Sequence, residues 1–138
     1  VALRALQLYG SQGSRSPLVN WYLEELGQEY QMIDVATVDR TAPAFPHPFG
    51  QIPALADGDV KVFESGAILI YLAQKYGGLS SPEALAEVAK WIVWANASLD
   101  PVVFIENDRG QVLDTGLRQN PKVIQRLESL LEGQSWLL

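Results

Sequence analysis

The sequence predicts an α/β domain with a mixed β-sheet, followed by a helical region. Two observations predict the α/β domain. Residues 5–35 contain an apolar run, an amphipathic helical pattern and a second apolar run, and two further apolar runs flank the turn Asp57-Gly58-Asp59. The first arrangement is typical of parallel strands joined by a crossover helix, and the second of an antiparallel hairpin. The third observation, that no strand pattern follows Gly78, predicts the helical region.

The first strand, loop and helix occupy residues 5–27. Ala5–Tyr9 is a short apolar run that ends at a loop rich in Gly and Ser, which predicts a buried strand. Ser16 is the predicted N-cap of the following helix, because Pro17 suits a first helical position that needs no N–H group. Gly27 is a suitable C-terminal cap. The apolar residues that recur at helical spacing are Val19, Tyr22, Leu23 and Leu26.

A second strand and a long irregular loop follow. Tyr30–Val35 is mostly apolar, and a parallel pairing with the first strand would place the loop after strand one at the carboxyl edge of the sheet. Thr37–Pro48 carries three prolines and few periodic positions. We therefore expect it to run over the surface, where ligand-binding loops commonly lie.

A hairpin and a second helix complete the α/β domain. Ile52–Ala56 and Val60–Phe63 flank the Asp-Gly turn, so we expect them to pair as antiparallel strands. The helix that follows ends at Gly77-Gly78. Its predicted buried face consists of Ala67, Ile68, Tyr71 and Leu72.

The rest of the chain carries only helical patterns. A linker, Leu79–Glu83, provides a Ser cap and a Pro for a long helical pattern over Glu83–Asn107, which Pro101 is expected to kink or interrupt. Asp108–Gln119 is polar and predicted to be a loop. Asn120 is the predicted cap of a last helix.

Composition excludes several classes of partner. Hydrophobic residues make up 48% of the chain, which predicts a packed globular protein. Ten Lys and Arg against sixteen Asp and Glu give a net charge of -6, and the basic residues are scattered, so we expect no nucleic-acid partner. No apolar run is long enough to cross a bilayer, and the N-terminus lacks a signal-peptide pattern. We therefore expect a cytoplasmic protein without a membrane partner.

The sequence contains few types of reactive side chain. The sequence contains no cysteine, which excludes disulfides and any mechanism based on a protein thiol. It contains one histidine, His47, so we expect no metal site. Chemistry has to come from hydroxyls, carboxylates, guanidinium groups, backbone amides or a bound small molecule.

Two short motifs have both a structural and a functional interpretation. Ile52-Pro53 is compatible with an ordinary edge-strand Pro, or with a cis peptide that turns the Ile52 backbone outward to pair with an extended peptide-like ligand. Glu64-Ser65 is compatible with a surface carboxylate and a helix cap. It is also compatible with a site for an amino-acid head group, in which Ser65 binds the carboxylate at a helix N-terminus and Glu64 pairs with the ammonium.

These motifs, in their order, resemble the glutathione transferase family. The matching segments of the α/β domain are Phe49–Leu55, Glu64–Ile68 and Tyr71-Leu72. Leu8–Gly10 and Trp21–Gly27 are most similar to bacterial members, particularly cyanobacterial ones of a chi-like type. The resemblance implies a thioredoxin-like N-terminal domain over residues 1–78, with a mixed four-stranded sheet in the order βαβ-ββα. It implies an all-α C-terminal domain over 79–138, which we expect to be incomplete because the family has further helices.

The resemblance also implies a ligand and its contacts. Glutathione would be the co-substrate: the Ile52 backbone, before a cis Pro53, would pair with its cysteinyl part, and Glu64 and Ser65 would hold its γ-glutamyl group. Gln51 would add a polar contact. His47 is interpreted as a loop residue lining the glycine end of the ligand.

The family places its thiol-activating residue in the loop after strand one or at the start of helix one. A hydroxyl donor, a guanidinium group and a helix N-terminus each lower a thiol pKa and so favour the reactive thiolate. By alignment on Leu23–Gly27, Ser14 is the first candidate, Arg15 the second and Ser11 the third. Arg15 stands where some members have cysteine, so thiol–disulfide chemistry is not expected.

The implied activity is conjugation of the glutathione thiolate to small hydrophobic electrophiles, as in detoxification, by a homodimer. The alternative is a transferase-like module that binds glutathione or a protein without catalysis.

Overall fold

The computed structural model describes residues 5–138, so the first four residues of the predicted domain 1–78 lie outside the described residues. The α/β part contains four strands and two helices in the predicted order. The strands are β1 (Gln7–Gly10), β2 (Gln31–Asp34), β3 (Ala54–Asp57) and β4 (Val60–Phe63), and the helices are α1 (Ser16–Glu25) and α2 (Ser65–Lys75). A short 3₁₀ turn, Val35–Thr37, follows β2.

The strands form a mixed sheet in the order β2-β1-β3-β4. β1 pairs in parallel with β2 and antiparallel with β3, and β3 pairs antiparallel with β4. The predicted mixed four-stranded sheet is therefore confirmed. Gly58, at the tip of the β3–β4 turn, has a φ of +61°, which glycine adopts without steric cost.

The register of the sheet brings three chain segments to one edge. Tyr9 near the end of β1 faces Ala54 at the start of β3, and Ala54 also faces Phe63 at the end of β4. The loop after β1, the segment before β3 and the segment after β4 therefore leave the sheet on the same side. Neighbouring strands lie about 5 Å apart, so the three exits span about 10 Å.

The core lies between the sheet and the two helices. Its fully buried side chains are Leu8, Val19, Leu23, Leu55, Ile68 and Leu72. Burial of each such side chain contributes about 2 kcal/mol. The predicted inner faces of α1 and α2 are largely confirmed, but in α2 Ala67 is exposed and Ala73 is buried. The buried face of α2 is therefore rotated about the helix axis, away from Ala67 and toward Ala73.

Of the three predicted helix caps, Ser16 is wrong, Asn120 has the predicted position without a capping bond, and Ser81 is confirmed. Ser16 is the first residue of α1, and the N-cap is Arg15, which makes no side-chain cap bond. Asn120 is the N-cap residue of the last helix, but its side chain donates to the Gly116 carbonyl at 3.3 Å and makes no capping bond. Ser81 does cap its helix, since its hydroxyl accepts from the Ala84 N–H at 3.1 Å.

The helical region is interrupted where Pro101 predicts it. Helix α3 (Pro82–Trp94) continues into a π-helical turn, Ala95–Leu99, and a short helix α4, Asp100–Val103. Pro101 has no N–H to donate and crowds the preceding turn, which is a common cause of such a break. The last helix, α5, is Pro121–Leu131.

The prediction that no strand follows Gly78 is wrong in one place. Ile105–Glu106 (β5) and Val112–Asp114 (β6) form a small antiparallel hairpin. The Asn107 side-chain oxygen accepts from the N–H groups of Arg109 and Gln111 at 2.9 and 3.0 Å, and Gly110 has a φ of +75°. β5 lies in the stretch Glu83–Asn107, so the prediction that this stretch is helical to its end is wrong, and β6 lies in the predicted loop Asp108–Gln119. The local bonds of Asn107 close the turn between the two strands.

The chain divides into two compact units, Val1–Leu85 and Ala86–Leu138, and the boundary lies within α3. Among residues 5–138, no helix has the length and apolar character required to cross a membrane.

Candidate functional site

The edge of the sheet where β1 ends, β3 begins and β4 ends carries all of the candidate residues. Ser11, Ser14 and Arg15 lie in the loop between β1 and α1. Gln51, Ile52 and Pro53 directly precede β3, and Glu64 and Ser65 directly follow β4. The fold thus brings together residues that the sequence separates by about fifty positions.

Ser11, Ser14 and Ser16 form a compact hydrogen-bonded cluster in the loop after β1. The Ser14 hydroxyl donates to the Ser11 carbonyl at 2.8 Å, and its oxygen lies 2.7 Å from the Ser16 oxygen. Ser14 Oγ also accepts from the Ser16 N–H at 3.1 Å, and Ser16 Oγ accepts from the Ser11 N–H at 3.2 Å. Ser14 therefore performs the capping role that the sequence predicts for Ser16.

Ser16 is fully buried because the loop packs closely onto the end of β1. A Cβ atom added at Gly10 would lie 1.9 Å from the Ser16 oxygen, so only glycine permits this approach. This contact is the reason that the cap prediction fails: the Ser16 side chain is turned into the protein by a residue six positions away.

Arg15 and Ser11 occupy different positions in the same loop. Arg15 is half-buried at the N-cap of α1, where its φ is -81° and its ψ is 3°. Ser11 is half-buried, and its backbone N–H and C=O are both bonded to the other serines. The positive end of the α1 dipole lies in this loop, where it favours a negative charge.

The Ile52–Pro53 peptide bond is cis, as the functional interpretation of this motif predicts. Pro53 is buried and Ile52 is half-buried. The register of β3 with β1 and β4 begins at Ala54, so Ile52 lies beyond the paired part of the sheet.

Glu64 has the most unusual backbone of the site. Its φ is +71° and its ψ is 122°, a region that non-glycine residues rarely adopt, and it is the one such residue among those described. A conformation of this kind costs about 1–3 kcal/mol and tends to occur at functional sites. Glu64 is exposed, and its carbonyl accepts from the Ile68 N–H at 2.9 Å, the first bond of α2.

Ser65 is the first residue of α2 and is 9% exposed. The first N–H groups of a helix have no partner within it and carry the positive end of the helix dipole. Glu64 makes no side-chain cap bond, so the start of α2 is left to other acceptors. The adjacent carboxylate and helix start can together hold a group that carries both charges.

His47 organises the loop before Gln51. It is 3% exposed, its Nδ1 accepts from the Phe49 N–H at 3.1 Å, and its carbonyl accepts from the Gly50 N–H at 3.0 Å. Its ring lies 4.5 Å from the Phe63 ring. Burial lowers the pKa of His47, and the Glu64 carboxylate opposes this only in part. The structure therefore places His47 inside the loop, which its surface-like sequence context does not indicate.

Arg40 is a second loop residue that the sequence analysis misses. Its Nε donates to the Gly50 carbonyl at 2.6 Å. Gly50 has a φ of +66°, and a Cβ there would lie 3.1 Å from the Arg40 carbonyl oxygen. Arg40 and Gly50 thus fix the chain immediately before Gln51, and only the glycine gives a signal in the sequence.

Within residues 5–138, no group of three or more His, Cys, Asp or Glu side chains is arranged to hold a metal ion. The polar groups that the site offers are hydroxyls, backbone N–H groups, the Arg15 guanidinium, the Gln51 amide and the Glu64 carboxylate.

Comparison with known proteins gives the family. The model described as "Glutathione S-transferase, N-terminal domain" matches residues 4–74, more than half of the chain. The chain belongs to the glutathione S-transferase family. Its first unit accordingly has the thioredoxin-like fold of these transferases.

Individual glutathione S-transferases are similar over most of the chain. Glutathione S-transferase 1 of Zea mays is 37% identical over 83% of this chain and 63% of its own length. Glutathione S-transferase 3 of Schizosaccharomyces pombe is 35% identical over 83% of this chain and 49% of its own length. The chain thus spans about half to two thirds of the curated relatives it matches.

Solved structures of the family also superpose on the chain. The theta class enzyme of Xanthomonas axonopodis pv. citri, solved with glutathione bound, has a TM-score of 0.74 at 26% identity, covering 96% of this chain and 73% of its own. Glutathione S-transferase I of maize, solved with an atrazine glutathione conjugate, has a TM-score of 0.74 at 28% identity, covering 96% and 75%.

Proposed function

We propose that this chain acts as a glutathione transferase, joining the sulfur of glutathione to small hydrophobic electrophiles. One observation carries the proposal: the serine loop, the cis Ile52–Pro53 bond and the Glu64-Ser65 helix start meet at one edge of the sheet. The family supports it, because one relative of solved structure holds glutathione and another a glutathione conjugate.

The proposed binding mode follows the three exits from the sheet. An extended tripeptide is about 10 Å long, which matches the span from β1 to β4. Ile52 would pair through its backbone with the cysteinyl part, next to Pro53. Ser65 and the start of α2 would bind the γ-glutamyl carboxylate, and Glu64 would pair with its ammonium group. Gln51 would supply a further polar contact from the segment that Arg40 and His47 hold in place.

The proposed activation step is stabilisation of the thiolate. On binding, the glutathione thiol loses its proton to water, and the sulfur then forms a bond to an electrophilic carbon. An aromatic halide loses its halide ion in this step, whereas in an isothiocyanate the C=N π bond breaks and the nitrogen takes up a proton from water. Ser14 is the first candidate for the donor to sulfur, with Arg15 second and Ser11 third. The Ser14 proton points at the Ser11 carbonyl, so the sulfur would have to share this proton with the carbonyl.

Several finer properties belong to the same proposal. We infer that the protein works in the cytoplasm in detoxification, as a homodimer and without a metal, and that the serine- or arginine-dependent type describes it. The glutathione-binding domain would end near Gly78, ahead of the capped start of α3.

The proposal is tested by retention on immobilised glutathione, followed by conjugation of an aromatic halide or an isothiocyanate. Loss of the Ser14 hydroxyl in Ser14→Ala should raise the pKa of the bound thiol by about 1–2 units, so kcat/KM at neutral pH falls about 10- to 100-fold. If Ser14→Ala and Arg15→Ala both leave turnover unchanged, the activating residue is misassigned. Binding without turnover of any electrophile would favour the non-catalytic module, and no affinity for glutathione would refute both.

A further inference from the structure

We propose that Ser16 is a positioning residue that makes the Ser14 hydroxyl a donor to the glutathione sulfur. This inference rests on the proposed function, because it concerns how the same site favours the thiolate. Ser16 is fully buried, yet its oxygen lies 2.7 Å from the oxygen of the half-buried Ser14.

The hydrogen bonds of the cluster determine where the protons lie. The Ser14 hydroxyl has a single proton, and the 2.8 Å bond to the Ser11 carbonyl uses it. The bond between the two hydroxyls must then use the Ser16 proton, so Ser16 donates and Ser14 accepts. Ser16 can do this because its own oxygen is held by the Ser11 N–H.

Ser14 consequently receives two hydrogen bonds from the same residue. Its oxygen accepts from the Ser16 hydroxyl and from the Ser16 N–H. These two donors occupy its acceptor positions, so Ser14 cannot accept the proton of a thiol. It can only give its own proton, which the sulfur would share with the Ser11 carbonyl. A donor to sulfur stabilises the thiolate, which lowers the thiol pKa. Each donor into Ser14 also polarises its O–H bond and strengthens the bond it gives.

Ser16 is held in this orientation by packing. The Ser16 hydroxyl lies against Gly10 at the end of β1, in space that a side chain at Gly10 would fill. A buried hydroxyl is costly unless it is bonded, and both bonds of Ser16 lie within the serine cluster. Because Ser16 is fully buried and bonded to Ser14, it influences the sulfur through Ser14 and is not itself a contact of the ligand.

The test compares Ser16→Ala with the wild-type chain in the pH profile of kcat/KM and in the titration of bound glutathione, followed by the ultraviolet absorption of its thiolate. We expect the thiol pKa to rise by about half a unit to one unit, a three- to tenfold loss at neutral pH, with little change in glutathione affinity. The matched control is Ser81→Ala, which removes a hydroxyl that also accepts a backbone N–H and should leave the profile unchanged.

Two further variants separate positioning from a structural role. Ser16→Cys fills the same space with a weak donor, so a profile shifted in the same direction is expected even if the alanine variant folds poorly. The double variant Ser14→Ala/Ser16→Ala should match Ser14→Ala alone, because Ser16 acts through Ser14.

Three results would overturn the inference: additive effects of the two alanine substitutions, loss of affinity with an unchanged thiol pKa, or a wild-type profile in Ser16→Cys. Failure of the wild-type chain to bind glutathione would instead refute the proposed function. The titration of the bound thiol needs no turnover, so the two failures are distinguishable.

Discussion

Glu64 combines a strained backbone with a proposed ligand contact, so its stability and binding effects should have opposite signs. With φ at +71° and ψ at 122°, a side chain at this position costs about 1–3 kcal/mol relative to glycine. Glycine also lowers the free energy of unfolding by about 0.5–1 kcal/mol, because the unfolded chain gains conformational freedom. Glu64→Gly should therefore raise the free energy of unfolding by about 1 kcal/mol while weakening glutathione binding.

Glu64→Ala provides the matched comparison. It removes the same carboxylate but keeps a Cβ at a positive φ, so it should weaken binding as Glu64→Gly does without the gain in stability. The measurements are urea unfolding followed by circular dichroism and calorimetric titration with glutathione. As a control, Glu29 is an exposed residue of the α1–β2 loop whose φ is not positive, and glycine there should be less stable than alanine.

The reasoning about Glu64 would be refuted if the glycine and alanine variants were equally stable. It would also fail if both bound glutathione as tightly as the wild type, because Glu64 would then be strained without contacting the ligand.

Three further predictions concern the residues that hold the α/β unit together. Asp57 Oδ2 accepts from the hydroxyls of Tyr71 and Tyr76 at 2.8 and 2.7 Å and from Lys75 Nζ at 2.6 Å. Burial raises the pKa of Asp57, but these three bonds outweigh it and hold the pKa below its usual value. The stabilisation is therefore present above about pH 4 and lost as the pH falls through the folded-state pKa. Asp57→Asn should lower the free energy of unfolding by about 1–2 kcal/mol at pH 7, measured by urea unfolding. An equal loss at pH 3 would contradict this. Gly10→Ala should destabilise the protein by about 1–3 kcal/mol in thermal unfolding, because its Cβ would collide with the buried Ser16 side chain; wild-type stability would show that the serine loop packs differently. Burial lowers the pKa of His47, so the folded protein favours the neutral ring and its stability should fall as the pH drops below about 6.5. In His47→Asn the amide oxygen can replace Nδ1 as acceptor, so this variant should lose the pH dependence of the free energy of unfolding. An unchanged pH dependence would exclude His47 as its source.

The parts of the fold that the sequence predicts well are those fixed by local chemistry. The Asp57-Gly58 turn determines the β3–β4 hairpin, and Gly27 ends α1 with a φ of +62°. Periodic apolar residues give the inner faces of both helices, because burial on one face is the main source of helix stability in a folded protein.

The parts that sequence patterns miss depend on contacts between distant segments or on bonds within polar stretches. Ser16 looks like a helix cap, and only the approach of Gly10 turns its hydroxyl inward. His47 looks like a surface loop residue, yet it is buried and its ring packs against Phe63 at the end of β4. The β5–β6 hairpin depends on the two bonds that Asn107 accepts, which no apolar alternation accompanies.

The same distinction applies to the candidate site. The proposed glutathione contacts of Pro53, Glu64 and Ser65 depend on a cis peptide bond and a helix start, and both features leave signals in the local sequence. The proposed activation depends on the direction of the Ser14 proton, and the sequence does not show that the Ser16 hydroxyl is buried beside it. In our proposal Ser14 is a donor to sulfur because Ser16 occupies its acceptor positions, and Ser16 can do so because only Arg15 separates the two serines.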